Sequence, residues 1–175
     1  MARILILHST VDGHTLRVCD RLRSLLEAGG DAVEHCAVEQ SAALDVASFD
    51  KIVIGASIRY GKHRPSVFRF IEANLPLLDS KPNAFFSVNI VARKPEKNGP
   101  DTNPYLRKFL RKTPWKPKLL GVFAGRLDYP RYRPFDRMMI RLIMRLTDGP
   151  TDPSAVVDFT DWQQVDRFAQ SIVDL

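Results

Sequence analysis

Four short, continuous apolar segments constrain the fold of this chain more than any other feature of its sequence. They do not alternate between apolar and polar residues, so both faces of each segment need to be covered, as in the strands of a parallel sheet. A fifth segment, DAVEHCAV (31–38), is weaker and is predicted as an edge strand. The four strong segments are RILILHS (3–9), KIVIGASI (51–58), NAFFSVNI (83–90) and KLLGVFAG (118–125).

Helical patterns lie between these predicted strands. The alternation of strands and helices predicts an α/β fold, with a doubly wound five-stranded parallel sheet and helices on both faces, in a single domain over residues 1–175. The predicted helices are 14–28, ended by Gly29 and Gly30, a segment from Pro65 through Leu75, a segment from the Asn103 N-cap and Pro104 to about Arg111, and a segment from a Thr160/Gln163 capping box to Leu175.

Several classes of protein are disfavoured by what the sequence contains. No apolar run is as long as a membrane-spanning helix, and the N-terminal residues resemble a strand rather than a signal peptide. Cys19 and Cys36 have no metal-like spacing, which favours reduced thiols and a cytoplasmic location. The four histidines are too scattered to predict a metal site, and no catalytic acid, base or nucleophile can be identified; the histidines are His8, His14, His35 and His63.

Most of the positive charge lies in one segment. The chain has a formal net charge of +6, and the segment from Arg126 to Thr147 holds six arginines and only two aspartates. This segment lies between the last predicted strand and the last helix, where a loop of such length is usually functional. We therefore predict a basic, helix-containing insertion over about residues 126–150, with an anionic partner.

The helix predicted at 134–147 combines regularly spaced arginines with an unusually wide apolar face. With about 1.5 Å of rise per residue it is too short to span a bilayer, but it can lie in a membrane surface. The alternative is that the helix packs on its own domain and covers the ligand. The two roles are compatible, because one face of the helix could contact the membrane while another packs on the domain. The residues predicted to contact an anionic membrane are Arg137, Met138, Arg141, Met144 and Arg145.

The loop HSTVDGHT (8–15) follows the first strand and opens a helix. Its hydroxyl groups, its glycine and the helix N-terminus suit a monophosphate. Because the chain lacks GxxxxGK[ST] and GxGxxG, a nucleoside triphosphatase or a dinucleotide site is disfavoured. The other interpretation of this loop is an ordinary β–α turn with Asp12 as the helix cap, and the residues alone do not decide between the two.

The sequence resembles the menaquinone-dependent protoporphyrinogen IX dehydrogenase family over nearly its whole length. STVDGHT on this fold is similar to the phosphate loop of flavodoxins. The longer segments VIGASIRYG, FFSVNIVARKPEKN, YPRYR with the basic helix, and TDW carry the more specific resemblance. A departure from the flavodoxin pattern is Asp12, where a threonine is usual, so its backbone N–H rather than its carboxylate is the expected phosphate contact.

The resemblance implies a flavodoxin-like fold that binds FMN non-covalently. The first loop would hold the phosphate, the second would run beside the isoalloxazine ring with Tyr60 stacked on it, and the third would line the other side of the ring. The implied FMN-binding residues are Ser9, Thr10, Val11, Asp12, Gly13, His14 and Thr15 in the first loop, Ala56, Ser57, Ile58, Arg59, Tyr60 and Gly61 in the second, and Ser87, Val88, Asn89, Ala92, Arg93 and Lys94 in the third.

The resemblance further implies the six-electron oxidation of protoporphyrinogen IX to protoporphyrin IX in haem biosynthesis. Electrons would pass to menaquinone or ubiquinone, at the inner face of a bacterial cell membrane to which the enzyme binds peripherally. The two propionates of the substrate need cations, for which arginine is well suited. The candidates near the predicted mouth are Arg59, Lys62, Arg64, Arg93, Lys94, Arg131 and Arg133.

Three other functions remain as alternatives. A flavodoxin-type NAD(P)H:quinone reductase would bind FMN equally well. An electron-carrier flavodoxin is disfavoured by the pI of about 9.5. A non-enzymatic basic module that meets nucleic acid is disfavoured by the wide apolar face of the helix, so we expect no nucleic-acid partner. The sequence leaves the formation of homo-oligomers open.

Overall fold

A five-stranded parallel sheet forms the centre of the protein. The computed structural model describes residues 1–175, and its strand order is β2-β1-β3-β4-β5. The predicted doubly wound sheet is confirmed, with the weak segment 31–38 at one edge. The strands are β1 (Arg3–Ser9), β2 (Ala32–Ala37), β3 (Lys51–Ser57), β4 (Asn83–Asn89) and β5 (Leu119–Ala124).

Helices cover both faces of this sheet. α1 and α5 pack on one face and α2 and α3 on the other, and each face has its own cluster of buried apolar side chains. This arrangement explains why the strands read as continuous apolar runs. The helices are α1 (His14–Ala28), α2 (Pro65–Ser80), α3 (Pro104–Lys112), α4 (Pro134–Leu146) and α5 (Trp162–Val173).

Two helix boundaries differ from the predicted ones. α2 continues past Leu75 through Pro76, with a kink at Asn74, whose side-chain amide donates to the Phe70 carbonyl oxygen at 2.9 Å. The predicted capping box on Thr160 is wrong. Asp161 is the N-cap of α5, because its carboxylate accepts hydrogen bonds from two backbone N–H groups of the first turn.

The centre of the sheet is closely packed around small residues. Gly55 lies in β3 directly beneath the ring of Phe86, and a Cβ atom on Gly55 would overlap that ring. Phe86 in turn packs against Phe123 and Phe168, with ring centroids 5.4 and 5.9 Å away. The glycine therefore lets an aromatic cluster approach the strand backbone.

The insertion after β5 is a folded unit with a small core. It begins with β6 (Arg126–Asp128) and ends with β7 (Val156–Asp158), which pair antiparallel, and α4 lies between them. Neither this strand pair nor its position was predicted. Leu127, Tyr129 and Met144 form the buried centre of the unit.

The C-terminal end of α4 is tied to the loop after β4. The guanidinium of Arg93 donates to the Thr147 carbonyl oxygen at 2.7 Å and to the Thr147 hydroxyl at 2.9 Å. Cations are favourable at this end of a helix because its last carbonyl groups lack intrahelical partners. No helix of the protein has both the length and the apolar character needed to cross a membrane.

Candidate functional site

The carboxyl ends of β1, β3 and β4 meet the turn after β5 around a small cavity. Strand order reverses between β1 and β3, which is where open α/β sheets bind their ligands. The cavity has a volume of about 80 Å³. It is lined by Thr10, Asp12, His14, Thr15, Ser57, Ile58, Val88, Asn89, Ile90, Gly125 and Arg126.

The first loop contains two buried hydroxyl groups without hydrogen-bond partners. Gly13 is the N-cap of α1 with φ of 83°, a conformation that favours glycine, and its N–H donates to the Thr10 hydroxyl oxygen at 3.0 Å. Ser9 and Thr15 are 1% and 0% exposed, yet neither hydroxyl has a hydrogen-bond partner. Since buried polar groups are normally paired, these orphaned donors beside a helix N-terminus fit a bound phosphate.

Asp12 does not cap α1, which corrects the alternative interpretation of this loop. Its carboxylate is turned towards the second loop, 3.5 Å from the Arg59 guanidinium. More than half of the Asp12 side chain is exposed. The carboxylate is therefore paired with the second loop rather than with the first turn of α1.

His14 joins the first loop to the segment before α5. The Thr160 hydroxyl donates to the Ala124 carbonyl oxygen at 2.8 Å, so it accepts a hydrogen bond from the His14 Nε2–H, 2.6 Å away. Burial lowers the pKa of His14, although Asp158 opposes this effect, so the ring is neutral at pH 7. Its Nδ1 is then a buried acceptor without a partner, which suits a hydroxyl-bearing ligand.

The second loop is held by the insertion. Tyr60 has φ of 49°, and Arg59 and Lys62 bridge through their backbones to close a tight turn. The Tyr60 hydroxyl and the Arg59 guanidinium both donate to the buried carboxylate of Asp136 in α4. These bonds, led by the one from Tyr60, keep the pKa of Asp136 below its usual value. Asp136 therefore ties the second loop to α4.

The third loop is shaped by a buried amide pair. Asn89 accepts from the Ala92 N–H at 3.1 Å and from the Asn103 side-chain amide at 2.9 Å. Three residues predicted in the site turn their side chains away from it. Ala56 and Ala92 pack in the core beneath α2 and α3, and the Ser87 hydroxyl lies 3.0 Å from His63 on that same side. Their predicted contact can involve the backbone only.

An arginine-lined cleft opens between the second loop and the insertion. It has a volume of about 500 Å³. Arg131 and Arg133 line it with side chains that make no hydrogen bond or ion pair within the protein, whereas Arg59 is paired with Asp12 and Asp136. The lining residues are Val11, Asp12, Arg59, Arg64, Arg131, Tyr132, Arg133 and Asp136.

Three other predicted cations lie elsewhere. The guanidinium of Arg93 is hydrogen-bonded to Thr147 at the end of α4, as described above, and Arg93 does not line the arginine-lined cleft. Lys62 lines a different cavity, between α2 and α3. Lys94 lines neither the small cavity nor the arginine-lined cleft.

The basic helix divides into three faces. Met144 is 0% exposed in the core of the insertion, which corrects its predicted membrane contact. Arg137 and Arg141 turn back to donate to the carbonyl oxygens of Tyr129 and Thr151. The exposed apolar face of α4 consists of Phe135, Met138, Leu142, Ile143 and Leu146, with exposures of 62, 58, 51, 41 and 77%.

Gly125, Arg126 and Asp136 are among the residues of this region that were not predicted from the sequence. Gly125 and Arg126 line the small cavity because β5 ends there, and the strand-end rule applied to 118–125 could have found them. No pattern in the sequence around Asp136 indicates that it contacts the second loop. Its role depends on α4 folding back across the second loop, which strand and helix periodicity does not specify.

Known proteins are similar to this chain in sequence and in structure. The flavodoxin domain family matches residues 5–154. Protoporphyrinogen IX dehydrogenase (quinone) of Escherichia coli K12 is 45% identical over 173 residues, covering 99% of this chain and 96% of the relative. The protein of that name from Leishmania major is 41% identical over 99% of this chain and 75% of its own length.

The chain belongs to the protoporphyrinogen IX dehydrogenase (quinone) family. Solved structures support the fold of this family member. Oxidised flavodoxin 1 from Bacillus cereus superposes with a TM-score of 0.56 at 16% identity, covering 99% of this chain and 98% of that one. A flavodoxin from the domain Archaea has a TM-score of 0.52 at 14% identity, with coverage of 98% and 96%. At these identities the similarity shows the fold alone.

Proposed function

We propose that this protein is an FMN-dependent protoporphyrinogen IX dehydrogenase that passes electrons to a quinone. The observation that carries the proposal is the 45% identity over 99% of the chain to a relative bearing that name. The orphaned hydroxyls of the first loop, at the ligand-binding edge of a flavodoxin-like sheet, support FMN as the cofactor.

The residues around the small cavity fit FMN. Ser9 and Thr15 would donate their unpaired hydroxyls to the phosphate, together with the N–H groups at the start of α1. His14 Nδ1 would accept from a ribityl hydroxyl. The second and third loops would flank the flavin ring, as the resemblance implies, with the Tyr60 hydroxyl held by Asp136.

In this reaction the protein would position the substrate and supply charged side chains, rather than transfer protons. When bound, FMN supplies a two-electron acceptor that a quinone can reoxidise, so three cycles complete the six-electron oxidation. Arg131 and Arg133 would hold the two propionates, because their guanidinium groups have no partners within the protein and line a cleft beside the second loop. Asp136 and Asp12 neutralise Arg59 and so direct the carboxylates towards the other arginines.

An anaerobic assay tests this function. The FMN-loaded protein is mixed with protoporphyrinogen and a soluble naphthoquinone, and protoporphyrin fluorescence is followed above the enzyme-free rate. We expect quinone-dependent fluorescence. Arg131→Met and Arg133→Met should raise the KM for protoporphyrinogen while the flavin stays bound. Arg23→Met, in an exposed position on α1, should change neither the KM nor the amount of bound flavin. A flat trace from the yellow, folded protein would refute the proposal.

The exposed face of α4 is proposed to bind an anionic membrane surface. Viewed down the helix, its five exposed apolar side chains occupy about 140° of the circumference. Arg145 and Arg141 border this arc on one side. Apolar side chains can enter the interfacial region of a bilayer while bordering arginines meet lipid phosphates. This location would bring the site close to a membrane quinone.

Vesicle co-sedimentation tests the membrane contact. We expect binding to vesicles with anionic lipid and weaker binding to zwitterionic vesicles. Leu142→Glu should reduce binding to anionic vesicles, because it places a carboxylate in the centre of the apolar arc. Val173→Glu is the matched control, since Val173 is 44% exposed on α5. Equal binding by both variants and the wild type would contradict the proposed contact.

A further inference from the structure

A second cavity lies between α2 and α3, on the far side of the second loop. Its volume is about 310 Å³, which is within the range of small-molecule sites. It shares no lining residue with the small cavity at the strand ends or with the arginine-lined cleft. We call it the α2–α3 cavity; the role proposed above for the protein leaves it unused.

The rim of the α2–α3 cavity is strongly cationic. Lys62, Arg69, Lys108 and Lys112 line it, and Glu72 is the one carboxylate among the lining residues. The side chains of Arg69 and Lys112 have no hydrogen-bond or ion-pair partner in the protein, and Glu72 forms no ion pair. Cations gathered in this way around a concave surface favour an anionic ligand.

The floor of the cavity is aromatic. Phe68 and Phe109 pack with ring centroids 5.4 Å apart, and Tyr105 lines the cavity beside them. Phe109 also stacks on Phe85 at 4.0 Å, so the floor is anchored in the core of the protein. A planar ring can lie against such a surface through offset or edge-to-face contacts.

A buried histidine adds a directed donor to this cavity. The Asn89 side-chain oxygen accepts from the Ala92 N–H, so its amide nitrogen faces the Ser87 hydroxyl and donates to it at 3.2 Å. Among these side chains, the His63 ring, with Nε2 3.0 Å away, is the group that can accept the Ser87 hydroxyl proton. His63 therefore carries its proton on Nδ1, which has no partner in the protein although the residue is 7% exposed and lines the cavity.

The charge state of His63 agrees with this role. Burial, together with the positive charge of Lys108, lowers its pKa to about 3. The ring is thus neutral at pH 7 and keeps one N–H to donate. An acceptor in the cavity would satisfy it, and a carboxylate would also meet the cationic rim.

We propose that the α2–α3 cavity is a binding site for a small aromatic carboxylate. Its ring would lie against Phe68 and Tyr105, which Phe109 supports from below, and its carboxylate would reach the His63 N–H and the cations Arg69 and Lys112. The ligand is either a separate small molecule or the carboxylate-bearing edge of the tetrapyrrole. The second source rests on the function proposed above, whereas the site itself does not.

Calorimetric titration of the FMN-loaded protein with 2-naphthoate tests the site. The neutral 2-naphthamide serves as the uncharged counterpart of the probe. We expect saturable binding with one site per chain, and about tenfold weaker binding of the amide, since a hydrogen bond to a charged group is worth about 1.5 kcal/mol or more. Arg69→Met and Lys112→Met should each weaken 2-naphthoate but not the amide.

Arg111→Met is the matched control, because Arg111 is exposed beside Lys112 on α3 but does not line the cavity. Equal affinity for acid and amide, no saturable binding, or equal weakening by Arg111→Met would overturn the proposal. A second titration contains saturating protoporphyrin IX. Displacement of 2-naphthoate by the porphyrin assigns the cavity to the tetrapyrrole edge, and simultaneous binding assigns it to a separate ligand; both outcomes support the site. Flavin absorbance checks that every variant retains FMN.

Discussion

Replacing Thr15 by valine should stabilise the FMN-free protein and weaken FMN binding. The two residues have similar shapes, so the change removes a hydroxyl without opening a cavity. In the structure Thr15 is 0% exposed and its hydroxyl has no partner. A buried polar group in that condition is destabilising, and only a ligand that pairs with it reverses the effect.

Both effects are large enough to measure. An unsatisfied buried hydroxyl costs about 1–3 kcal/mol, and we take the lower figure because loops near a helix start can adjust. A gain of about 1 kcal/mol raises Tm by about 2–4 °C in a chain of this size. Losing a hydrogen bond to a phosphate costs about 1.5–3 kcal/mol, which weakens FMN binding about 10- to 100-fold.

Thermal unfolding of the FMN-free protein and flavin fluorescence titration provide the two measurements. Thr10→Val is the contrasting variant, because the Thr10 hydroxyl already accepts from the Gly13 N–H and its loss should lower Tm. A lower Tm for FMN-free Thr15→Val, or an unchanged affinity for FMN, would refute the assignment of Thr15 to an otherwise empty phosphate contact.

Three further predictions concern the parts of the fold that support the site. Arg93→Met should destabilise the protein by about 2 kcal/mol and speed hydrogen exchange in α4, since it removes the bonds to Thr147; unchanged exchange in α4 would contradict this. The pKa of His63 is near 6.5 in the unfolded state and about 3 in the folded state. Its contribution to the free energy of unfolding is therefore full above pH 6.5 and is lost as pH falls towards 3. Over this range the free energy of unfolding should fall by up to about 1.4 kcal/mol per pH unit. Urea unfolding of the wild type and His63→Gln across that range should show a shallower slope in the variant, and equal slopes would argue against a neutral buried ring. Gly55→Ala should destabilise the protein by about 1–3 kcal/mol and so lower Tm, because the added methyl group overpacks against Phe86; an unchanged Tm would mean that the ring moves freely.

Periodicity was sufficient to predict the sheet and its helices. The four apolar runs became β1, β3, β4 and β5 with boundaries within one residue, because strands covered on both faces are mostly apolar in both registers. The position of the loop 8–15 was equally predictable, since a loop after a first strand and before a helix is local in sequence. The same local reasoning misplaced the cap of α5 by one residue and ended α2 too early, because tertiary packing supports the helix across Pro76.

The sequence by itself was sufficient to predict that the loops after β1, β3 and β4 lie at the same edge of the sheet. It also showed that the insertion carries most of the excess positive charge. The tertiary structure alone decided how the insertion uses its residues. Met144 is buried in a small core while its neighbours in α4 are exposed, and Asp136 reaches the Tyr60 hydroxyl far away in the chain. Helical spacing defines which side chains share a face, but only the contacts across the fold select which face is covered.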